Sequence, residues 1–361
     1  MTLYDILVES ASAGIALLRD DGSMPPGHNG PYNDPETPIR NTAHWLITFA
    51  KAFEITSDVR FFDAVTGCAK YLISDETRPG GAAFFCRNNP EKDFSNGLIG
   101  QAWVFEALAS ATDLLDDNIY IEFAKEVYRL HKFEQDFGLW HILNVDGSFG
   151  PIDMTFNHQL WFAACAGLLL KPLDGIGAQV RRFLDCLDNN FRIYKKGRIA
   201  HSIPKTAVSP GIVGALKSIK GRLTSSQEDR IFEKDREIGY HAFNLYAFGM
   251  LAERFPEHDF WQSRKMKTIA DYIEREEFIN GIKTSRFGYP YNPPGFECAY
   301  AITAFPQYFD NPDSLIANWV SRQIEKCFDN DSSLMVLNSA DSMTSAARIY
   351  EATRLPDISI E

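Results

Sequence analysis

Residues 153–170 read DMTFNHQLWFAACAGLLL, a stretch that is apolar on almost every side once its first polar residues are passed. Apolar and small residues at 3.6-residue spacing predict a helix, and a helix that is apolar all round is buried all round. Asn157 and His158 stand side by side at the entrance to this helix. The stretch therefore predicts a buried helix with a polar N-terminal end.

Two kinds of helical segment alternate along the whole chain. Segments of the buried kind cover residues 41–54, 97–112, 156–170, 239–254, 296–309 and 342–353. Amphipathic segments with one charged face cover residues 2–19, 58–73, 117–133, 176–191, 259–277 and 312–328. This alternation predicts an all-α fold, an (α/α)6 toroid or six-hairpin barrel, with an inner ring of helices inside an outer ring. We expect one catalytic domain over residues 1–361.

The lengths of the links between helices predict where a functional site lies. Links from a buried helix to the next amphipathic one are as short as TSD at 56–58. Links in the other direction are mostly long, aromatic and rich in glycine, as in RPGGAAFFCRNNPEKDFS and SRFGYPYNPPG. Long loops of this composition in a compact fold are usually functional. We expect them, with short β-hairpins, at the N-terminal ends of the inner helices, where helix dipoles favour an anionic or hydroxyl-rich ligand.

Composition excludes several classes of protein. A net charge of −12 over 361 residues argues against a general nucleic-acid binder, which needs a basic face. No stretch approaches the roughly twenty apolar residues of a membrane span, and the N-terminus reads as an amphipathic helix rather than a signal peptide. Six scattered cysteines without a CxxC pair indicate reduced thiols of a cytoplasmic protein. We expect no metal and no cofactor; the sequence does not indicate an oligomeric state.

Polar residues cluster in the first turns of the buried helices, where they predict a pocket for a sugar. Hydroxyl groups of sugars need amide, carboxylate, guanidinium and imidazole partners, and sugar rings stack on aromatic side chains. The substrate-binding candidates are Arg40, Asn41, His44, Trp45, Asn96, Gln101, Trp161, His241, Asn244, Tyr289, Tyr291, Tyr300 and Asp341. Helix capping is the alternative explanation for Asn41, Asn96 and Asp341, and packing between helices is the alternative for the tryptophans.

Two segments resemble a known group of enzymes. FNHQLWFAACAGLLL and REIGYHAFNLYAFGMLA are similar to the Asn-His and Arg-Tyr-His segments of alginate lyases, within the six-hairpin glycosidases and toroidal polysaccharide lyases. The resemblance implies β-elimination of a uronate-containing poly- or oligosaccharide. It also implies Asn157 as carboxylate binder, His158 as base or carboxylate partner, Tyr240 as acid or base, and Arg236 as charge stabiliser.

The sequence departs from that pattern and leaves other activities open. The family's further arginine is absent, so Lys234 would take its place; the loop at 192–236 is longer, and alginate lyases are normally exported. A glycoside hydrolase would use a pair of carboxyl groups at the same mouth, for which Asp93, Asp153 and Glu297 are the candidates. A sugar epimerase, which shares proton abstraction with a lyase, and a glycan-binding protein without activity are further alternatives. The absence of DDxxD and zinc-ligand motifs excludes terpene and lanthionine cyclases.

Overall fold

The alternation of helices produces two concentric rings in the computed structural model, which describes residues 1–170, 175–209 and 226–360. The inner helices are α2 (Ile39–Thr56), α4 (Gly97–Leu115), α6 (Phe156–Leu168), α11 (His241–Arg254), α14 (Pro294–Ala304) and α16 (Ser342–Ala347). A 3-10 segment, Arg348–Arg354, continues α16. Each inner helix packs on the next, and α16 with its 3-10 segment returns to α2, so the ring closes. The predicted toroid is confirmed.

The outer ring consists of the amphipathic segments. Its helices are α1 (Leu3–Ile15), α3 (Val59–Leu72), α5 (Ile119–Leu130), α7 (Gly175–Asp185), α12 (Arg264–Ala270) and α15 (Pro312–Cys327). The capping box of Thr2 and Asp5 begins α1, and Asp58 caps α3 through the N–H of Arg60. Each outer helix buries one face and exposes the other, whereas residues 97–109 of the inner helix α4 are buried without interruption.

Long links join each outer helix to the following inner helix, as expected. The third link contains a three-stranded antiparallel sheet of β1 (Phe133–Glu134), β2 (Leu139–Leu143) and β3 (Phe149–Ile152). The fourth carries the short helices α8 (Leu187–Asn190) and α9 (Lys205–Val208) and then α10 (Gln227–Gly239), which runs into α11 through Tyr240; residues 210–225 lie outside the described residues. The fifth contains α13 (Glu276–Thr284). Among the described residues, none of the helices combines the length and apolar character needed to cross a bilayer.

Candidate active site

A cavity of about 200 Å³ opens at the N-terminal ends of the inner helices. Its lining comes from the long links and from the first turns of the inner helices. Of the residues singled out in the sequence, it brings together Arg40, Asn96, Asn157, His158, Arg236, Tyr240 and Tyr291. The other lining residues are Asn29, Tyr32, Asp34, Arg87, Lys92, Ile99, Trp103, Thr155, His201, Phe243, Asn292 and Arg348.

His158 is held in one orientation by a buried carboxylate. The Nδ1 of His158 lies 2.8 Å from Oδ2 of Asp153, which also accepts from the N–H of Leu98, while Oδ1 accepts from the N–H of Thr155. Burial by itself would raise the pKa of Asp153, but the charge and hydrogen bond of His158 and the two backbone donors outweigh it and lower the pKa. The ionised carboxylate only accepts, so in the neutral imidazole of His158 the proton resides on Nδ1 and Nε2 is left for a bound molecule.

A left-handed turn makes room for this pair at the start of α4. Asn96 and Gly97 both have positive φ angles, 57° and 56°. A Cβ at Gly97 would lie 2.6 Å from Oδ2 of Asp153 and 2.9 Å from Nδ1 of His158. Glycine is therefore needed here both for the backbone conformation and for the space that the side chains of Asp153 and His158 occupy.

Tyr240 and His201 complete the same side of the cavity. The hydroxyl of Tyr240 donates to that of Tyr32 at 3.2 Å, and its ring lies 5.5 Å from the imidazole of His201. Burial raises the pKa of Tyr240 well above its usual range and that of Tyr32 to about 12, so both hydroxyls keep their protons. Burial, and then the charges of Arg236 and His158, lower the pKa of His201, which is therefore neutral.

Two buried arginines supply positive charge at the base of the cavity. The guanidinium of Arg40 lies 4.2 Å above the ring of Trp103 and pairs with Glu36 at 3.1 Å. Arg348 pairs with Glu297 at 3.0 Å and with Glu351 at 2.5 Å. Both guanidiniums stay charged because their carboxylate partners, and Tyr291 for Arg40, raise their pKa values against the effect of burial.

The three carboxylic acids proposed for hydrolysis do not line the cavity. Asp93 accepts from Arg87 at 2.6 Å and from the N–H of Gly97 at 2.6 Å, so it stabilises the turn before α4. Asp153 lies behind His158. Glu297 is fully buried behind Arg348, where burial and the neighbouring Glu351 raise its pKa well above the usual range. Among the described lining residues the sole carboxylate is Asp34, which pairs with Lys92 at 2.6 Å.

Several predicted substrate-binding residues of the first inner helices lie in the wall of the ring. The side chain of Asn41 donates to the carbonyl of Pro25. His44 is buried and its imidazole stacks on Tyr350 with ring centroids 4.2 Å apart. Trp45 packs in the core. These three side chains contribute to packing and loop attachment. Arg40, one turn nearer the start of α2 than His44, is the residue of this helix that lines the cavity.

Residues predicted on the next inner helices also have structural partners. The side chain of Gln101 bonds to the backbone of Phe84, and Trp161 donates to the carbonyl of Phe243 while stacking on its ring at 4.4 Å. The Nε2 of His241 bonds to the carbonyl of Ile269 in the core. Asn244 is buried, and its Oδ1 has no hydrogen-bond partner among the described residues.

The remaining three predicted residues do not line the cavity. Tyr300 donates to Glu253 at 2.5 Å within the ring of helices. Tyr289 lines a smaller adjoining cavity. Asp341 caps α16 and also accepts from the N–H of His28 and Gly30, which fixes the first long link to the ring. The capping explanation thus fits Asp341, whereas Asn96 occupies the cap position of α4 without a side-chain cap bond.

Sequence reasoning missed the lining residues that lie on irregular segments. Tyr32 and Lys92 belong to the first two long links, and His201 belongs to the fourth. No periodic pattern identifies the direction of a side chain on such a segment. One dipeptide did indicate the turn before α4: Asn96-Gly97, because Asn-Gly favours left-handed backbone. Within the described ranges, no group of three or more His, Cys, Asp or Glu side chains could hold a metal ion.

Comparison with known proteins identifies one relative by sequence and several by fold. No family model matches the chain. Archaeal glycosylation protein Q of Haloferax volcanii is 41% identical over 369 residues, covering 99% of each chain. Solved structures share the fold at low identity: D-mannose isomerase (13% identity, TM-score 0.66, 97% and 95% of the two chains) and cellobiose 2-epimerase from Bacillus thermoamylovorans (10%, 0.64, 94% of each). Unsaturated glucuronyl hydrolase specific for heparin also shares the fold, with 13% identity, a TM-score of 0.62 and 97% and 96% of the two chains covered.

Proposed function

Because this chain belongs to the family of archaeal glycosylation protein Q, we propose that it is an enzyme of glycan metabolism that moves a proton on a sugar, as an epimerase or isomerase does. The observation that carries the proposal is the Asp153–His158 pair, which faces a cavity shared with His201 and Tyr240. A carboxylate that fixes the tautomer of an imidazole is the usual way to prepare a general base.

The geometry supports a proton transfer at the carbon next to a carbonyl group. Nε2 of His158 takes the proton from that carbon, and the C–H electron pair moves onto the carbonyl oxygen to give an enediolate. The positive charges of Arg40 and Arg348 stabilise the oxyanion. Returning a proton to the opposite face of the same carbon gives an epimer, and returning it to the neighbouring carbon gives an isomer.

Tyr240 and His201 are the candidates for the second proton transfer. The raised pKa of Tyr240 keeps its hydroxyl protonated, so it is suited to donate. The lowered pKa of His201 keeps it neutral, so this imidazole can pass a proton on from Tyr240 or from the substrate hydroxyl. The names of the fold relatives, which include an epimerase and an isomerase, support this chemistry by analogy alone.

β-Elimination of a uronate is the second candidate, and one observation favours it. The Nε of Arg236 is buried without a hydrogen-bond partner among the described residues, and the amide of Asn157 has an unsatisfied Oδ1. Both residues line the cavity beside Tyr240, where they could bind a carboxylate while Tyr240 protonates the leaving oxygen. Hydrolysis has less support, because Asp93, Asp153 and Glu297 are each engaged outside the lining.

Incubation of the protein with free sugars in D2O tests the proposal. Glucose, mannose, galactose, glucuronate and cellobiose are followed by NMR and mass spectrometry. We expect deuterium at the carbon next to the carbonyl, together with an epimer or an isomer, and its loss in His158→Gln. His141→Gln is the control, since His141 is bound to Glu134 on the sheet of the third link.

Other outcomes separate the candidates. An unsaturated product absorbing in the ultraviolet from a polyuronate, without exchange in free sugars, would replace epimerisation by elimination. New reducing ends with neither deuterium nor ultraviolet absorbance would contradict both and favour hydrolysis.

A further inference from the structure

We infer that the cavity admits a sugar only end-on, so that the substrate is a free sugar or the terminal residue of a short glycan and not an internal residue of a polymer. This inference rests on the proposed function and specifies its substrate class. Its basis is a closed collar of hydrogen bonds among the described residues, in which each segment around the mouth is joined to the next.

The first part of the collar joins the second long link to the first. Asp34 accepts from Nζ of Lys92 at 2.6 Å and from the side chain of Asn89 at 2.7 Å. Next to them the N–H of Asn88 donates to the carbonyl of Pro35 at 2.7 Å. Asp34 is 2% exposed, so this connection is packed and not a transient surface ion pair.

The first link is joined in turn to the helices on its other side. The hydroxyls of Tyr32 and Tyr240 are hydrogen-bonded, and the ring of Tyr32 packs on Phe287 with centroids 5.4 Å apart. Gly30 lies so close to Tyr291 that a Cβ there would stand 2.2 Å from its ring. The first link is therefore a fixed wall.

The fourth link completes the opposite side. Glu237 on α10 accepts from Arg198 at 3.1 Å and from the hydroxyl of Tyr194 at 3.0 Å. The carbonyl of His201 accepts from the N–H of Phe156 at 2.9 Å, which joins this link to α6.

Two further bonds close the circle. The N–H of Leu98 donates to Asp153 at 3.3 Å, which joins α4 to the segment before α6. Arg87 donates to Asn96 at 3.0 Å, which joins α4 back to the second link. The inner end of the cavity is closed by the rings of Trp103 and Phe243, each 4% exposed.

Because the described segments around the mouth are joined on every side, we infer one way into the cavity, at the N-terminal ends of the inner helices. A polymer bound through an internal residue needs two openings, one for each direction of the chain. A free sugar or a chain end needs one. The carbonyl that the proposed proton transfer requires exists only at a reducing end, so the reducing end is the one that enters.

Matched linear and cyclic glycans test the inference. Glucose, maltose, linear maltohexaose and cyclic maltohexaose, which has no ends, are incubated with the full chain in D2O. Binding of each is measured in parallel by calorimetry. We expect deuterium in the terminal residue of any linear chain that reacts, and binding of the cyclic sugar at least about tenfold weaker than that of glucose or maltose. Reaction of the free sugars alone also supports end-on entry.

Deuterium found in internal residues would overturn the inference while leaving the proton transfer intact. Binding of cyclic maltohexaose as tight as that of linear maltohexaose would do the same. If none of the free sugars binds or exchanges deuterium, the proposed function fails and this inference with it. These sugars are glucose, mannose, galactose, glucuronate and cellobiose.

Variants of the wall give a second readout. Tyr32→Ala removes the ring between the first link and Tyr240 and should let cyclic maltohexaose bind, a gain that a misfolded protein cannot mimic. Tyr32→Phe is the matched control, because it keeps the ring and loses only the hydroxyl, so exclusion should persist. Lys92→Ala opens the collar at the other link and should show the same gain if Tyr32→Ala does not fold. If both alanine variants fold and still do not bind cyclic maltohexaose, the role of the collar is contradicted.

Discussion

The starts of two neighbouring inner helices carry similar pairs of residues that the fold uses differently. At α6 the pair is Asn157-His158, and the histidine faces the cavity with Asp153 behind it. At α11 the pair is Tyr240-His241; here the tyrosine faces the cavity, while the histidine points into the core and bonds to the carbonyl of Ile269.

Helix phase explains the difference. His158 is the third residue of α6, whereas His241 is the first residue of α11. Each residue turns a helix by about 100°, so two residues rotate the side chain by about 200°, from the cavity to the opposite face. Adjacent polar residues in a motif therefore do not share a role; the residue at which the helix begins decides which of them reaches the site.

The largest expected effect separates the two histidines directly. His158→Gln should lower the rate of deuterium exchange by about 10²- to 10⁴-fold, the usual contribution of a general base, with little change in the free energy of unfolding. His241→Gln should leave the rate per folded molecule unchanged and reduce the free energy of unfolding by about 1–3 kcal/mol, because a buried hydrogen bond is lost. Exchange kinetics and urea unfolding measure the two quantities; equal rate losses in both variants would contradict the contrast.

The next effect concerns the space that His158 needs. Gly97→Ala should lower the rate roughly 10²-fold, because the added Cβ displaces the Asp153–His158 pair at a backbone position with positive φ. Gly175→Ala is the control, since a Cβ there meets no atom of the described residues within 4 Å. Retention of full activity in Gly97→Ala would show that the pair is not needed for the reaction.

The pH dependence of stability tests the buried environment of His241. Burial lowers the pKa of His241 to about 3, so the folded protein keeps it neutral while the unfolded chain binds a proton below pH 6.5. Its contribution is therefore present above pH 6.5 and is lost as the pH falls, by about 2 kcal/mol at pH 5. Urea unfolding at pH 7.5 and pH 5 should show a smaller loss in His241→Gln than in the unmodified protein; an unchanged loss would exclude a neutral His241.

The smallest expected effect concerns Tyr240, the residue of the Tyr240-His241 pair that faces the cavity. Tyr240→Phe should reduce the rate about tenfold if His201 can supply the second proton, or by up to 10²-fold if Tyr240 alone donates. Tyr308→Phe, which loses a hydroxyl bound to the carbonyl of Trp261 outside the cavity, is the control. A rate equal to that of the control would remove Tyr240 from the proton transfer.

The candidate site could be predicted from the sequence in part. Arg40, Asn157, His158 and Tyr240 were identified as polar residues in the first turns of buried helices, and all four line the cavity. His44 and His241 satisfied the same criterion and are buried. His241 is buried because of its helix phase, whereas His44 lies on the same face of α2 as Arg40 but one turn deeper in the ring. Their catalytic or binding roles stay predictions until the variants are measured.

The sequence by itself determined the double ring of helices and the end at which the cavity opens. Hydrophobic periodicity reports burial, and link length reports where loops accumulate; both are local properties of the chain. Only the tertiary structure decided that Asp153 orients His158, that Glu297 supports Arg348 from behind, and that Tyr32 and Lys92 close the mouth. Apart from Asp153 and His158, which are five residues apart, these contacts join residues distant in the chain. The directions of all of them follow from where each helix begins and how each loop packs, which no local pattern encodes.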